Sequence, residues 1–328
     1  MNSYNMKDQA TWPLVTMRVL TYNQEKYIAE AVKSVFAQDY PNMEIILSDD
    51  CSTDRTFVIL QELVQTYKGP HKVILNRNEH NLGLREHSNK VDAMSHGEFL
   101  TVNAGDDISL PNRVSKCVEI MLKHPEVMSL STEVDYIDGE GNEIPNQHEI
   151  HIRKGDYALL TMTEYLNYQF REFYLFPGAT RMRRRNLLGA FPPLGIAPDE
   201  DIYWFIRSLY VGSIAFVHQP LLKYRRHETN ITTLREMEGG GDNKVKEKRA
   251  ILKEASEKQL FTDLELAIER NYISAENRKN MTEKILRIYD DYISKIPIQM
   301  SFIQTVVFKL SRMILKKMGI RIIPEKIK

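Results

Sequence analysis

Three acidic clusters stand out in this chain: Asp49-Asp50, Asp106-Asp107 and Asp199-Glu200-Asp201. Neighbouring carboxylates suit two kinds of chemistry. They offer hard oxygen ligands to Mg²⁺ or Mn²⁺, and they take a proton from a nucleophile as it attacks. Other polar runs accompany them: Thr21-Tyr22-Asn23-Gln24-Glu25, Ser52-Thr53-Asp54, Asn78-Glu79-His80-Asn81-Leu82-Gly83 and Tyr224-Arg225-Arg226-His227. Taken singly, each has a plainer reading. Asp and Ser cap helices, Asn and Gly make turns, acids favour the first turn of a helix, and a lone histidine is more often structural than a ligand.

The elements around these runs favour a shared purpose. Leu14–Leu20, Met43–Ser48, Val73–Leu75, Glu98–Val102 and Val127–Leu130 read as strands. Helical patterns lie between them: Glu25–Ala37 with Tyr27, Ile28, Ala31, Val32 and Val35 on one face, a helix capped by Ser52 or Thr53 with Phe57, Leu60 and Val64 inward, and one opened by Pro111 with Val114, Val118 and Met121 inward. Such alternation predicts a mostly parallel α/β sheet. In such sheets ligands bind outside the carboxyl ends of the strands, and four of the polar runs follow strands directly. Past Asp138 the spacing predicts a hairpin turn at Gly139–Asn142, a helix near Tyr157–Phe170, a strand at Tyr174–Arg181, a helix at Asp199–Tyr210, and short strands at Ile214–Val217 and Leu221–Tyr224. Gly239-Gly240-Gly241 reads as a flexible break.

Composition narrows the classes. The 328 residues carry 44 Lys plus Arg against 44 Asp plus Glu, so no overall basic field points to nucleic acid. Cys51 and Cys117 lack metal-ligand spacing. The first residues lack the apolar core of a signal peptide, and no apolar run approaches the roughly 20 residues that span a bilayer. The expected place is therefore the cytoplasm.

The order of the motifs resembles family 2 glycosyltransferases of the GT-A fold. The resemblance rests on TYNQEKYIAEAVKSVFAQDYPNMEIILSDDCSTD, NAGDDISLPNRV, PDEDIYWFIRSLYVG and PLLKYRRHETNIT, and covers about residues 12–233. It implies a GT-A catalytic domain over residues 1–235, with a nucleotide-sugar half at about 12–135 and an acceptor half at about 136–235. A helical extension would follow at 236–328. It also implies an inverting, metal-dependent transfer from a nucleoside-diphosphate sugar to a glycan hydroxyl, of the bacterial surface-polysaccharide type.

Site residues follow from the same resemblance. Thr21, Tyr22, Asn23 and Glu25 would contact the nucleoside, and Asp50 would accept a hydrogen bond from a pyrimidine N3–H, favouring UDP. Asp107 would ligate Mn²⁺ or Mg²⁺ on the diphosphate, with Asp106 supporting it or meeting the ribose and His227 as a further ligand. Arg225 or Arg226 would reach the diphosphate. Asp201 is the favoured general base, with Asp199 and Glu200 as alternatives. Many members carry Ala-Arg-Asn shortly after Asn-x-Gly. Ser88 stands here in place of that arginine, and Arg85, one turn earlier, is expected to supply the charge.

Residues 302–321 combine Phe302, Val306, Leu310, Met313 and Leu315 with Lys309, Arg312, Lys316, Lys317 and Arg321. That pattern suits a helix in the interface of an anionic membrane, with residues 301–328 as the contact. The enzyme would then sit on the inner face of the cytoplasmic membrane and use a lipid-linked acceptor. A helix packed on the catalytic domain or on a second subunit is the competing reading, so an oligomer stays open. The rival functions are a sugar-phosphate nucleotidyltransferase and a non-catalytic glycan-binding module.

Overall fold

In the computed structural model the described residues are 12–145, 155–162, 164, 178–195, 200–228, 230, 258–274 and 282–283. The chain begins as a regular alternation. Strand β1 (Val15–Thr21) leads to helix α1 (Ile28–Phe36), β2 (Met43–Asp49), α2 (Thr56–Thr66), β3 (Lys72–Arg77), α3 (Leu84–Met94) and β4 (Phe99–Ala104). The strands β3-β2-β1-β4 lie side by side and parallel. Every residue of β1 and β2 is buried, as parallel strands covered on both faces must be. Helix α1 buries Ile28, Ala31, Val32 and Val35, the three-and-four spacing of one helical face.

The order of these strands locates a crevice. After β1 the chain moves to one side, through β2 and β3, and then α3 returns it to β4 on the other side of β1. The direction reverses between β1 and β4. Connections there leave the carboxyl ends of the two strands in opposite directions and open a gap between them. The loops that follow β1 and β4 flank that gap.

The second half widens the sheet with mixed strands. A two-residue β5 (Ile108–Ser109), helix α4 (Arg113–Lys123), the long β6 (Val127–Ile137) and β7 (Glu143–Ile144) come first. Then come β8 (Tyr157–Leu160), a short 3-10 turn at Gly178–Thr180, β9 (Met182–Arg184), helices α5 (Asn186–Ala190) and α6 (Glu200–Val211), and β10 (Ser213–Arg225). β9 inserts antiparallel between β4 and β6, and β10 runs parallel to β6.

Three expectations change here. Tyr157–Leu160 is not helical but a strand, antiparallel to β10 with Leu160 opposite Ile214; helix appears at Met162 and Glu164, and residues 163 and 165–170 of the expected helix lie outside the described residues. The pairing gives residues 157–160 backbone partners that a helix would have drawn from its own chain. Of the strand expected at Tyr174–Arg181, residues 178–180 form the 3-10 turn, β9 starts at Met182, and residues 174–177 lie outside the described residues. The two short strands are one, β10, whose register with β6 shifts on both sides of Pro220. Proline lacks the N–H that a continuous ladder needs, so a bulge replaces the expected gap. The hairpin at 139–142 forms as expected, joining β6 to β7.

Part of the segment read as a C-terminal extension packs on the acceptor half. Helical residues 258–269 bury Leu260, Leu264 and Ala267 among Leu187, Phe191, Trp204, Ile206 and Tyr210. Inside this contact Arg207 meets Asp263 bidentately, at 2.7 and 2.8 Å, and donates to the Pro192 carbonyl at 2.9 Å. The guanidinium lies 5.0 Å from both the Trp204 and the Phe191 ring centres. Removing one member of a buried ion pair strands the other charge, at a cost of about 3–5 kcal/mol. Asp263→Ala should therefore lower unfolding free energy by about that amount in urea titrations. A loss near zero would mean that this helix does not stay docked in solution.

Candidate functional site

The loop after β1 is braced against the loop after β2 by reciprocal hydrogen bonds. Asn23, with φ +52°, accepts from the Thr53 N–H at 2.8 Å, and its own N–H donates to Ser52 Oγ at 2.9 Å. Glu25 accepts from the Arg55 N–H at 2.9 Å while the Glu25 N–H donates to Asp54 at 3.0 Å. Asp54, rather than Ser52 or Thr53, accepts from the Thr56 N–H at the start of α2. Thr21 is buried, and its hydroxyl bonds Gln24 Oε1 at 2.8 Å. Among the four expected nucleoside contacts, Tyr22, Asn23 and Glu25 are exposed, and Tyr22 is the aromatic one, 45% exposed.

Asp50 lies buried at the end of β2 and organises the next loop. One oxygen accepts from Asn78 Nδ2 at 2.7 Å and the Leu82 N–H at 2.9 Å; the other accepts from the Gly83 N–H at 2.9 Å. Gly83 itself needs φ +78°, a backbone angle that favours glycine. Three internal donors thus occupy the carboxylate expected to read the base, and a carboxylate has about four acceptor positions. Asp49, beside it, pairs with Ser52 and lies 3.4 Å from Arg77 Nε.

The arginine substitute is not where the spacing placed it. Arg85 pairs with its neighbour Glu86 at 3.1 Å. The buried charge near Ser88 comes instead from Arg18 on β1, whose Nη1 is 3.5 Å from Ser88 Oγ and in contact with Asp92. Arg183 from β9 reaches the same Asp92 at 2.5 Å and stacks 4.0 Å over Trp204. Side chains at 88 and 18 fill one space from two elements, a relation that spacing along one helix cannot reveal.

At the end of β4, Asp106 and Asp107 turn different ways. Asp106 Oδ2 lies 3.0 Å from His227 Nε2 and accepts from Asn230 Nδ2 at 3.1 Å. Asp107 is 1% exposed; its Oδ1 accepts from the Arg225 N–H at 2.9 Å, and its Oδ2 is buried without a hydrogen-bond partner. Burial first, and then the Asp106 charge, push the Asp107 carboxyl well above the usual carboxylate range. Arg225 is 2% exposed and fully engaged. It donates to the Asp106 carbonyl at 2.9 Å, to the Asp138 carbonyl at 3.2 Å and to Glu30 at 2.5 Å, with its guanidinium 4.9 Å from the Tyr27 ring centre. These contacts fasten the acidic loop to α1 and to the residues after β6. Arg226 stacks 5.5 Å over Tyr136, and His227 packs 4.6 Å from Tyr27.

The loops after β1 and β4 touch at Gly105. A β-carbon there would fall 2.1 Å from Gln24 Oε1 and 2.9 Å from Thr21 Oγ1. On the side of β4 away from β1, the antiparallel pairing of β4 with β9 sets Met182 opposite Thr101, so the 178–180 turn runs toward the carboxyl end of β4. Asp201, in the first turn of α6, leans on that turn. Its carboxylate is 45% exposed and lies 3.1 Å from Arg181 Nη2. Asp199 lies outside the described residues, as does the side chain of Glu200. Arg113, Arg181 and Asn230 are parts of this site that the motifs did not single out; the signal for Asn230 was its place in the Tyr-Arg-x-His-x-x-Asn run.

Among the described residues no three His, Cys, Asp or Glu side chains gather as a cage for a metal ion. Asp106 with His227 still fits an ion that arrives with its substrate. Magnesium in particular is commonly held by one or two carboxylates plus substrate phosphates.

Known proteins bear on this geometry. A sequence profile described as "Glycosyl transferase family 2" matches residues 18–190. EpsE of Bacillus subtilis (strain 168), named as a glycosyltransferase, is 33% identical over 120 residues, 37% of this chain and 42% of EpsE. The match thus spans less than half of that relative. Among solved structures, S. aureus TarS 1-349 in complex with UDP-GlcNAc superposes with a TM-score of 0.51 at 18% identity, covering 86% of this chain and 90% of TarS 1-349. The mannosyltransferase PcManGT from Pyrobaculum calidifontis, in complex with GDP-Man and Mn²⁺, gives a TM-score of 0.53 at 17% identity, covering 92% and 88%. These likenesses show the GT-A fold expected from the motifs.

The Asp50 network makes a testable claim. Asp50→Ala removes the acceptor of the Leu82 N–H, while the Gly83 N–H keeps Asn81 Oδ1 at 3.0 Å. Hydrogen exchange at the Leu82 amide should accelerate by about 10-fold or more, matching the roughly 1.5 kcal/mol of a bond to a charged group, with a smaller change at Gly83. Unchanged exchange at Leu82 would show that the loop holds its shape without the carboxylate.

Proposed function

The chain belongs to glycosyl transferase family 2, and from that premise we propose that it transfers a sugar from a nucleoside-diphosphate donor to an acceptor hydroxyl, inverting the anomeric centre in one displacement. The observations that support the reading are two unlike acidic groups on loops tied to β4, one paired with a histidine and one half-exposed. Asp106 meets His227 at the end of β4, while Asp201 stands half-exposed at the start of α6.

Each residue has a task in this reading. Tyr22 projects where the nucleoside enters. Asp106 and His227 hold a divalent ion, with hard oxygen from the carboxylate and imidazole nitrogen acceptable to Mn²⁺. When bound, that ion supplies positive charge to the departing diphosphate. Asp107 is better placed to anchor the loop than to ligate directly, because its carboxylate points inward. Asp201 takes the proton of the acceptor hydroxyl as its oxygen attacks. The donor base is left between the two kinds that related folds hold, UDP-GlcNAc in TarS and GDP-Man in PcManGT.

The acceptor and location extend the same reading. We place the enzyme on the cytoplasmic membrane, serving a lipid-linked glycan of a surface polysaccharide. The support is the alternation of apolar and basic residues in 302–321, a segment outside the described residues. Among the described residues no helix is long and apolar enough to cross a membrane.

The test measures nucleoside diphosphate release from UDP-glucose, UDP-N-acetylglucosamine and GDP-mannose, with Mn²⁺ or with excess EDTA. Turnover is expected with at least one donor, and only with the metal. Asp106→Ala should abolish it, and Asp201→Asn should lower it about 100-fold or more, the usual worth of a general base. Wild-type release in EDTA, or full activity in both variants, overturns the mechanism.

A further inference from the structure

Asp201 is half-exposed, yet its carboxylate is not free to roam. An added β-carbon on Gly178 would fall 2.0 Å from Asp201 Oδ1 and 2.2 Å from both Cγ and Oδ2. The carboxyl group therefore occupies the space that any side chain at 178 would take. On its other flank stands Arg181, 4% exposed, with Nη2 at 3.1 Å from Oδ1. We propose that Gly178 and Arg181 form a seat that orients Asp201, with Arg181 as a positioning residue for the transfer reaction. This rests on the reading of Asp201 as the base.

The seat is built to be rigid. The Arg181 guanidinium lies 4.9 Å over the Phe205 ring, which comes from the same helix as Asp201. The Arg181 carbonyl accepts from Thr101 Oγ1 at 3.0 Å, and the neighbouring Ala179 carbonyl accepts from Arg113 Nη2 at 2.7 Å. Backbone on both sides of the turn is thus tied to β4 and α4. A buried cation has strong reason to keep a carboxylate close, and among the described residues that carboxylate is Asp201. The contact is one of charge rather than a directed hydrogen bond, and with the space taken up at Gly178 it sets where the carboxylate stands. General-base catalysis depends on that position, and a misplacement of about 1 Å costs about 100-fold in rate.

Of the three neighbouring acids, Asp201 is the one whose side chain lies among the described residues, and the turn at 178–181 receives it. Glycine at 178 is then required by the size of its neighbour, because residues 178–180 turn without needing a positive φ at this position.

The experiment is a double-mutant cycle on Arg181 and Asp201, read with whichever of UDP-glucose, UDP-N-acetylglucosamine or GDP-mannose the wild type consumes. Arg181→Met should lower kcat about 100-fold with the donor KM within about 3-fold, since donor binding does not involve the base. Arg181→Lys, which keeps the charge, should recover most of the rate. In the Asp201→Asn background Arg181→Met should cost nothing further, because its effect runs through Asp201. Gly178→Ala should melt near the wild-type temperature and lose turnover through crowding of the carboxylate. Melting supplies a readout that needs no donor: Asp201→Asn should lower Tm in the wild type and leave it unchanged once Arg181→Met is present. An equal loss of rate from Arg181→Met in both backgrounds, or a fully active Gly178→Ala, overturns the seat. If Asp201→Asn is itself active, the assignment of the base has failed and the seat falls with it.

Discussion

One buried guanidinium connects most of what surrounds the crevice. Arg113, in the first turn of α4, donates to Ser109 Oγ at 2.8 Å, Thr101 Oγ1 at 3.2 Å, the Val102 carbonyl at 2.8 Å and the Ala179 carbonyl at 2.7 Å, with Asn103 Oδ1 at 3.4 Å. Burial lowers its pKa to about 10, which leaves it cationic at neutral pH. The planar fork of arginine reaches several acceptors in fixed directions, which lysine cannot do. Strand β4, the acidic loop, β5 and the 178–180 turn are thereby referred to one point. Thr101 itself serves twice, since its hydroxyl donates to Arg181 while receiving Arg113. The end of β4 and the turn at 178–180 are thus positioned by groups one hydrogen bond apart.

Arg225 does comparable work on the far side of the acidic loop. Its backbone N–H holds Asp107, its Nε holds the Asp106 carbonyl, and its Nη2 reaches Glu30 on α1. The loop is caught between α4 and the end of β10, and its two carboxylates are driven apart. Both are buried, but Asp107 is strongly disfavoured as an anion and held by the Arg225 N–H, while Asp106 keeps contact with His227 and Asn230. The Ala104–Asp107 turn sends the two neighbouring carboxylates to different partners.

Much of this was legible in the sequence, and the reasons differ by element. The helices α1 and α4 announced themselves because Ile28, Ala31, Val32 and Val35, and likewise Val114, Val118 and Met121, recur at helical spacing. The parallel strands were legible as short apolar runs. The acidic pair, Asp201 and His227 could be picked out by motif, but motifs carry no directions. Nothing in the spacing of Asp106 and Asp107 says which turns inward; that depends on the Arg225 N–H, more than a hundred positions away. Arg85 looked like the substitute for a missing arginine because it lies one turn from Ser88. The space is filled from β1 by Arg18, a contact set by sheet topology. Tyr157–Leu160 misled for a similar reason, since its strand character comes from β10, its partner.

The docking of residues 258–269 bears on how the chain is made. The first half completes its parallel strands by residue 104, so its core can close early. The second cluster cannot. Trp204, Tyr210 and the buried Arg207 wait for Leu260, Asp263 and Leu264. At roughly 5–20 residues per second, seconds of synthesis separate Arg207 from its counter-ion. During that interval an unpaired cation and an aromatic cluster sit at the growing end of a half-built domain. Among the described residues the 258–269 helix closes this core, and its arrival shortens the vulnerable period on the ribosome.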